Sequence, residues 1–247
     1  QDVSGHIALM GGKKQYETHL DKLFSANNGT AGRHQADITG LIGQYAHGNE
    51  PSHHMAYLYN FVNKPAKTQE KVREILTTLY SNTPDGISGN EDCGQMSAWY
   101  VFSALGFYPV TPGSNQYIIG SPLAERATIN LENGNQFTIV ADGYEEGYFY
   151  INAASLNGDP LKRSYLMHEE IVAGGTLVFE LSAMPTDWAT ADVNIPVTEI
   201  SDHLILTPPF IANGESAFKN STTIELGHID PTVEVYYQWN EGEFNIY

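Results

Sequence analysis

Gly89-Asn90-Glu91-Asp92-Cys93-Gly94-Gln95-Met96-Ser97-Ala98-Trp99-Tyr100-Val101-Phe102-Ser103-Ala104-Leu105-Gly106-Phe107-Tyr108-Pro109-Val110 is the stretch that decides how this chain reads. It opens as a glycine-flanked acidic loop. Met96 to Leu105 is apolar nearly all round, which predicts a buried helix. Gly106 can end that helix in a left-handed cap. At Phe107-Tyr108-Pro109 the spacing of apolar residues changes from helical to strand-like. Two adjacent carboxylates, Glu91 and Asp92, therefore sit at a loop-to-helix junction, poised for proton transfer or for holding a cation. Gln95, Ser97 and Trp99 follow closely, as a sugar pocket requires.

Upstream, helical spacing dominates. Lys14 to Phe24 predicts a helix; Met55, Leu58, Tyr59 and Val62 fall at i, i+3, i+4, i+7, and so do Val72, Ile75, Leu76 and Leu79. Pro51 and Pro65 suit first-turn positions. Long Gly-, Asn- and His-containing loops at 26–34, 44–54 and 82–94 separate the helices, and function commonly sits in such loops. Downstream, Tyr117–Ile119, Ala127–Leu131, Gln136–Val140, Tyr148–Ile151 and Thr176–Leu181 read as strands. Glu132-Asn133-Gly134-Asn135 and Leu156-Asn157-Gly158-Asp159 read as turns. A polar stretch near Ala183–Asn194 reads as a linker to a small β-rich module at 184–247, with strand-like runs at Ile224–Leu226 and Val233–Tyr237. The expected class is α+β, with helices over 1–107 followed by antiparallel β structure over 108–183.

The 247 residues suffice for one large domain or two smaller ones. No apolar run approaches the 18 to 20 residues of a membrane span. Residues 1–107 carry −2 and residues 108–247 carry −15 of the formal net charge of −17. Such a field disfavours nucleic acid and anionic membrane surfaces and favours solubility. Cys93 is the single cysteine, so no disulfide can form within the chain, and without basic neighbours it reads as an inert thiol. The chain opens at Gln1-Asp2-Val3 as if cut from something longer.

Two segments carry a resemblance: His47-Gly48-Asn49-Glu50-Pro51-Ser52-His53-His54-Met55-Ala56-Tyr57-Leu58-Tyr59-Asn60-Phe61, and the stretch from Gly89 to Val110. Both resemble glycoside hydrolase family 92, the calcium-dependent exo-acting α-mannosidases. The opening from Asp2 to Gly12 and the strands to about Leu181 are similar too, so the resemblance covers about residues 1–183. It implies the second half of an (α/α)6 barrel plus the strands after it. It also implies hydrolysis of terminal mannose, α-1,2-linked by expectation, from oligosaccharides such as N-glycans, in a bacterial periplasm or outside the cell.

An inverting glycosidase needs two carboxyl groups about 6.5–9.5 Å apart, one to protonate the leaving oxygen and one to activate water. Adjacent Glu91 and Asp92 serve one side of that reaction. Alignment to the family favours Asp92 as general base, with Glu91 as the fallback. Some members carry a further acid two positions earlier, where this chain has Asn90. The general acid is expected upstream of Gln1, in an N-terminal portion of the same enzyme that acts as this chain's partner. The resemblance implies that Asn49 and Glu50 ligate Ca²⁺, a role their hard oxygens suit; no EF-hand spacing points to calcium by itself. His53 and His54 either contact sugar hydroxyls or are satisfied structural histidines; the H-E-x-x-H spacing of a zinc site is absent. Gln95 and Ser97 are candidates for hydrogen bonds near the sugar, while Trp99 and Tyr100 read first as core. The rival reading is a carbohydrate-binding or structural module without catalysis.

Overall fold

The computed structural model describes residues 2–29, 35, 37–200 and 207–247. Part of the expected loop at 26–34, residues 30–34, lies outside the described residues. The chain forms two compact units, residues 1–199 and 200–247.

The first unit begins with α1 (Val3–Leu9), whose first turn is capped by the Asp2 carboxylate accepting from Gly5 N–H at 2.6 Å. Then come α2 (Lys13–Ser25), the hairpin β1 (Leu41–Ile42) and β2 (Tyr45–Ala46), and two 3-10 segments, Glu50–Ser52 and Met55–Val62. Proline stands at the start of α3 (Pro65–Thr78), followed by α4 (Gln95–Leu105). Met55–Val62 was expected as an ordinary helix. It is wound tighter and buried on nearly all sides, from Ala56 through Val62, so tertiary packing overrides the local helical period. α4 ends at Gly106 in the left-handed conformation (φ 100°), and a Cβ there would press on Pro122 and Phe179. The expectation that α4 is buried all round does not hold. Met96, Trp99 and Ser103 are buried, whereas Val101 is 55 % exposed, because among the described residues of 1–199 no element covers that face.

Beyond α4 lie β3 (Phe107–Tyr108), β4 (Gln116–Ile119), β5 (Arg126–Asn130), β6 (Gln136–Asp142), β7 (Tyr150–Leu156), β8 (Asp159–Pro160), β9 (Tyr165–Met167), α5 (His168–Ala173) and β10 (Gly175–Ser182). They make a three-stranded sheet, β3-β4-β9, and a five-stranded sheet, β5-β6-β10-β7-β8. The β7–β8 turn is the Asn157-Gly158 pair, both with positive φ (53° and 89°), as a two-residue hairpin loop requires. The sheet is mixed rather than purely antiparallel, since β10 runs parallel to β6. The chain reaches β10 through α5, which the sequence reading left out.

Two apolar clusters share Phe102 at their border. One lies among the helices around Tyr57, Val72, Ile75 and Trp99, the other between the sheets around Phe137, Ile151 and Phe179. Buried Asn60 joins them, donating through Nδ2 to Ile119 O (2.8 Å) and Ser164 O (3.2 Å). The stretch expected to be a linker is a packed strap. Trp188 donates to Leu161 O at 3.0 Å, Asn194 O accepts from Ser164 N–H at 2.9 Å, and Thr198 O accepts from Ser4 N–H at 3.1 Å. Its polar composition goes with its exposure, since most of residues 183–194 face solvent, while the Trp188 indole and backbone carbonyls hold it to the rest of the unit.

In the second unit β11 (Phe210–Asn213) pairs with β12 (Glu225–Gly227), and β13 (Tyr236–Tyr237) with β14 (Asn245–Ile246), both antiparallel. None of residues 207–247 is fully buried.

Candidate active site

The two motif segments meet in the first unit, and glycine makes the contact close. Gly89 has φ 74°, and a Cβ on it would come within 3.1 Å of the Gly48 carbonyl oxygen. A Cβ on Gly48 would in turn drive into the Thr39 hydroxyl. Only chain without side chains at both positions lets the loop carrying Asn49 and Glu50 touch the loop carrying Glu91 and Asp92. Asp92 (φ 49°), Cys93 (φ 58°) and Gly94 (φ 94°) are all left-handed, a conformation that costs an L-residue about 1–2 kcal/mol. That turn leaves the Asp92 side chain exposed at the start of α4.

There Asp92 meets Glu50. A hydrogen bond between the two carboxyls, with some desolvation and the negative charge of Glu50, raises the Asp92 pKa above its ordinary value. Two carboxyls from different segments facing each other are ready either to share a proton or to hold a cation.

Glu91 turns elsewhere. Its Oε1 accepts from Ser97 N–H and its Oε2 from Ser97 Oγ, both at 3.0 Å. The carboxylate thereby satisfies an amide in the first turn of α4, at the positive end of the helix dipole. Glu91 and Ser97, both expected at the site, are thus engaged with each other. They border an open groove of about 580 Å³ that Tyr80, Tyr100 and Val101 also line.

His53 is buried, and both ring nitrogens are taken. Nε2 lies 3.0 Å from His47 O, and Nδ1 lies 3.2 Å from Gln95 Nε2. The Gln95 amide nitrogen can only donate, so Nδ1 accepts and Nε2–H donates to the carbonyl. Gln95 also donates to Tyr108 Oη at 3.2 Å, and the Trp99 indole N–H donates to His53 O at 3.0 Å. His53 and Gln95 therefore hold loop to helix. His54 is half-buried, and burial lowers its pKa. The Asn49 side chain makes no capping hydrogen bond.

Sequence reasoning passed over His47, Tyr45 and Tyr80. His47 is 0 % exposed. Its Nδ1 lies 2.7 Å from Tyr45 Oη and its Nε2 2.6 Å from Tyr80 Oη, and Tyr80 donates onward to Met96 O at 3.1 Å. That order makes His47 a neutral Nε2–H tautomer. Burial, then the neighbouring His53, lowers its pKa to about 3; burial lowers that of His53 too. The only signal for His47 was its place two residues before Asn49.

These imidazoles are neutral when folded and protonate once unfolded, so their stabilising contribution is complete above about pH 6.5. It fades as pH falls, by about 1.4 kcal/mol per pH unit for each imidazole that stays neutral. Urea denaturation at pH 7.5, 6.5 and 5.5 should show this slope, shallower in His47→Gln. An equal slope in that variant would show that His47 does not contribute.

The donor set suits a hard divalent cation: the Asn49 amide and the Glu50 and Asp92 carboxyls are oxygen ligands. Thr39 Oγ1, buried at the Gly48–Gly89 junction, has no hydrogen-bond partner among the described residues. Among the described residues no group of three or more His, Cys, Asp or Glu gathers for a metal, so further oxygens would have to come from backbone, water or sugar.

A carboxyl exposed at a loop-to-helix turn beside amides and aromatic rings can serve as one of the two carboxyls that a glycoside hydrolase needs, the other standing farther away than Glu50 does. Residues 1–183 match the model of the glycosyl hydrolase family 92 catalytic domain, and the chain belongs to that family. A family 92 α-mannosidase from Bacteroides thetaiotaomicron in complex with mannoimidazole is similar at 44 % identity and a TM-score of 0.75, over 79 % of this chain and 26 % of that one. A family 92 inverting mannosidase from the same organism is similar at 37 % identity and a TM-score of 0.70, over 80 % of this chain and 28 % of that one. An uncharacterized secreted glycosidase of Arthroderma benhamiae is 30 % identical over 198 residues, 79 % of this chain and 24 % of that protein. The chain thus spans about a quarter of the length of these relatives. Among the described residues no helix is long and apolar enough to cross a membrane.

Proposed function

We propose that residues 1–199 form the base-bearing part of a calcium-dependent, inverting exo-α-mannosidase that removes terminal mannose, α-1,2-linked, from glycans such as N-glycans. The observation that carries this reading is the meeting of Glu50 and Asp92 across the Gly48–Gly89 junction. Asp92 takes a proton from a water as its oxygen bonds to the anomeric carbon. The glycosidic bond on the opposite face breaks, and its oxygen receives a proton from a general acid. Glu91, with both oxygens on Ser97, is not that acid. The acid comes from polypeptide outside residues 1–247, in keeping with the quarter-length match to the relatives.

Asn49 and Glu50 would hold calcium; when bound, it polarises and orients the sugar's 2- and 3-hydroxyls. The helices form the second half of an (α/α)6 barrel, whose first half covers the exposed side of α4 and Leu9, which is 89 % exposed. Secretion, or a bacterial periplasm, suits both the substrate and the secreted relative.

The test is hydrolysis of α-1,2-mannobiose. Residues 1–247 alone should be inactive, and supplying the upstream catalytic portion should restore turnover that a chelator abolishes. Turnover by residues 1–247 alone would sink the placement of the acid, and turnover in chelator would sink the role of calcium. One observation favours sugar binding without catalysis: the second unit has a groove of about 390 Å³ lined by Tyr237, Trp239 and Tyr247, ring faces on which a sugar can stack. Binding of mannose oligosaccharides that survives both Asp92→Asn and chelation would support it.

A further inference from the structure

We propose that His47 is a positioning residue: bridging Tyr45 and Tyr80 beneath the site, it fixes the loop carrying Glu50 against the helix start carrying Asp92. This rests on the mannosidase reading, since the reaction needs that geometry.

The loop has little regular structure to hold it, only a single 3-10 turn at Glu50–Ser52. Backbone bonds from His47 and Gly48 to Gly40 and Thr39 tie it to the preceding hairpin side (3.1 Å each). Its ties to α4 run through side chains. His47 reaches Met96 O by way of Tyr80, His53 holds Gln95, and Trp99 holds His53 O. The His47 ring also lies against the Trp99 ring edge-on, with centroids 4.5 Å apart, and against His53 at 4.9 Å. Every one of these ties ends in the first five residues of α4, directly after the turn that presents Asp92. His47, His53 and Trp99 form a buried layer with half-buried Tyr80 and Gln95 at its edge, and at the buried atoms a hydrogen bond has one geometry and a lost partner is not readily replaced by water. His47 itself touches neither Glu50 nor Asp92; its effect on the pair passes through the loop.

A neutral imidazole offers one donor and one acceptor, and a glutamine amide can supply the same two. Two variants of the intact enzyme therefore separate positioning from packing: His47→Ala, which empties the layer, and His47→Gln, which restores its hydrogen bonds. Ile75→Val, in the core of α3, is the control for general loosening. His47→Ala should lower kcat by about 10²-fold, the scale of a misplacement near 1 Å, with KM changed less than about threefold. In hydrogen–deuterium exchange, amides at 48–53 and 92–97 should exchange at least about tenfold faster while those of β6 and β10 keep their rates. His47→Gln should recover most of both. A uniform rise in exchange, or a kcat no lower than that of Ile75→Val, would overturn the proposal. If the unaltered enzyme releases no mannose, the mannosidase reading fails, and the exchange pattern alone decides whether His47 fixes the two loops.

Discussion

Asp92→Asn in the intact enzyme should lower kcat by about 10²–10⁴-fold, the usual worth of a general base, with little change in KM. It should also raise the melting temperature at pH 7 in cation-free buffer. The second effect follows from the raised pKa of Asp92 beside Glu50. A carboxyl whose pKa is raised on folding stabilises the fold below its unfolded pKa, and that contribution is lost as pH rises through the folded value. At neutral pH the ionised pair opposes folding, and an amide removes the opposition while removing the base. Calcium should stabilise the unaltered protein more than the variant, since the cation then offsets a repulsion the variant lacks. Thermal melts with and without calcium, beside initial rates, check both halves. Full kcat in Asp92→Asn would move the base elsewhere, and a lowered melting temperature would contradict the repulsion between the carboxyls.

Trp99→Ala should bring the largest loss of stability. The side chain is 0 % exposed, its ring lies parallel to that of Tyr80 (interplanar angle 2°, centroids 6.1 Å apart), and its indole N–H serves the His53 carbonyl. Truncating a buried aromatic costs about 3–5 kcal/mol, and the orphaned carbonyl adds about 1–3 kcal/mol. Against a stability of about 5–15 kcal/mol for a typical domain, the first unit would be close to unfolded at 37 °C. Urea denaturation followed by circular dichroism measures it, with Trp99→Phe, which keeps an aromatic ring but loses the hydrogen bond and part of the packed volume, expected to fall between the unaltered protein and Trp99→Ala. A loss below about 1 kcal/mol would show that this aromatic layer does not hold the site.

Much of the scaffold was legible because its signals are local. The periods at Lys14–Phe24 and Val72–Leu79, the proline at 65, and the turns at Asn133-Gly134 and Asn157-Gly158 lie on the elements they announce. What escaped the sequence depends on distant partners. The parallel pairing of β6 with β10 joins residues nearly forty positions apart. The strap after β10 is polar in composition yet anchored by Trp188. α4 is apolar on a face that the described residues of 1–199 leave uncovered, so its composition overstated its burial.

The site divides in the same way. Asp92 and Glu50 could be named from their motifs, but that they face each other could not. Glu91 was the fallback to Asp92, and the left-handed turn sends the two side chains in different directions, one to Ser97 and one to Glu50. His47 was invisible as a functional residue because its partner Tyr80 lies 33 positions away.

The most direct measurement is the anomer released first from α-1,2-mannobiose by the intact enzyme with calcium, followed by proton NMR faster than mutarotation. β-Mannose appearing first, at a rate that Asp92→Asn abolishes, is the expected result. α-Mannose first, or release that persists in Asp92→Asn, would contradict the assignment of Asp92 as the base of a single-displacement mannosidase.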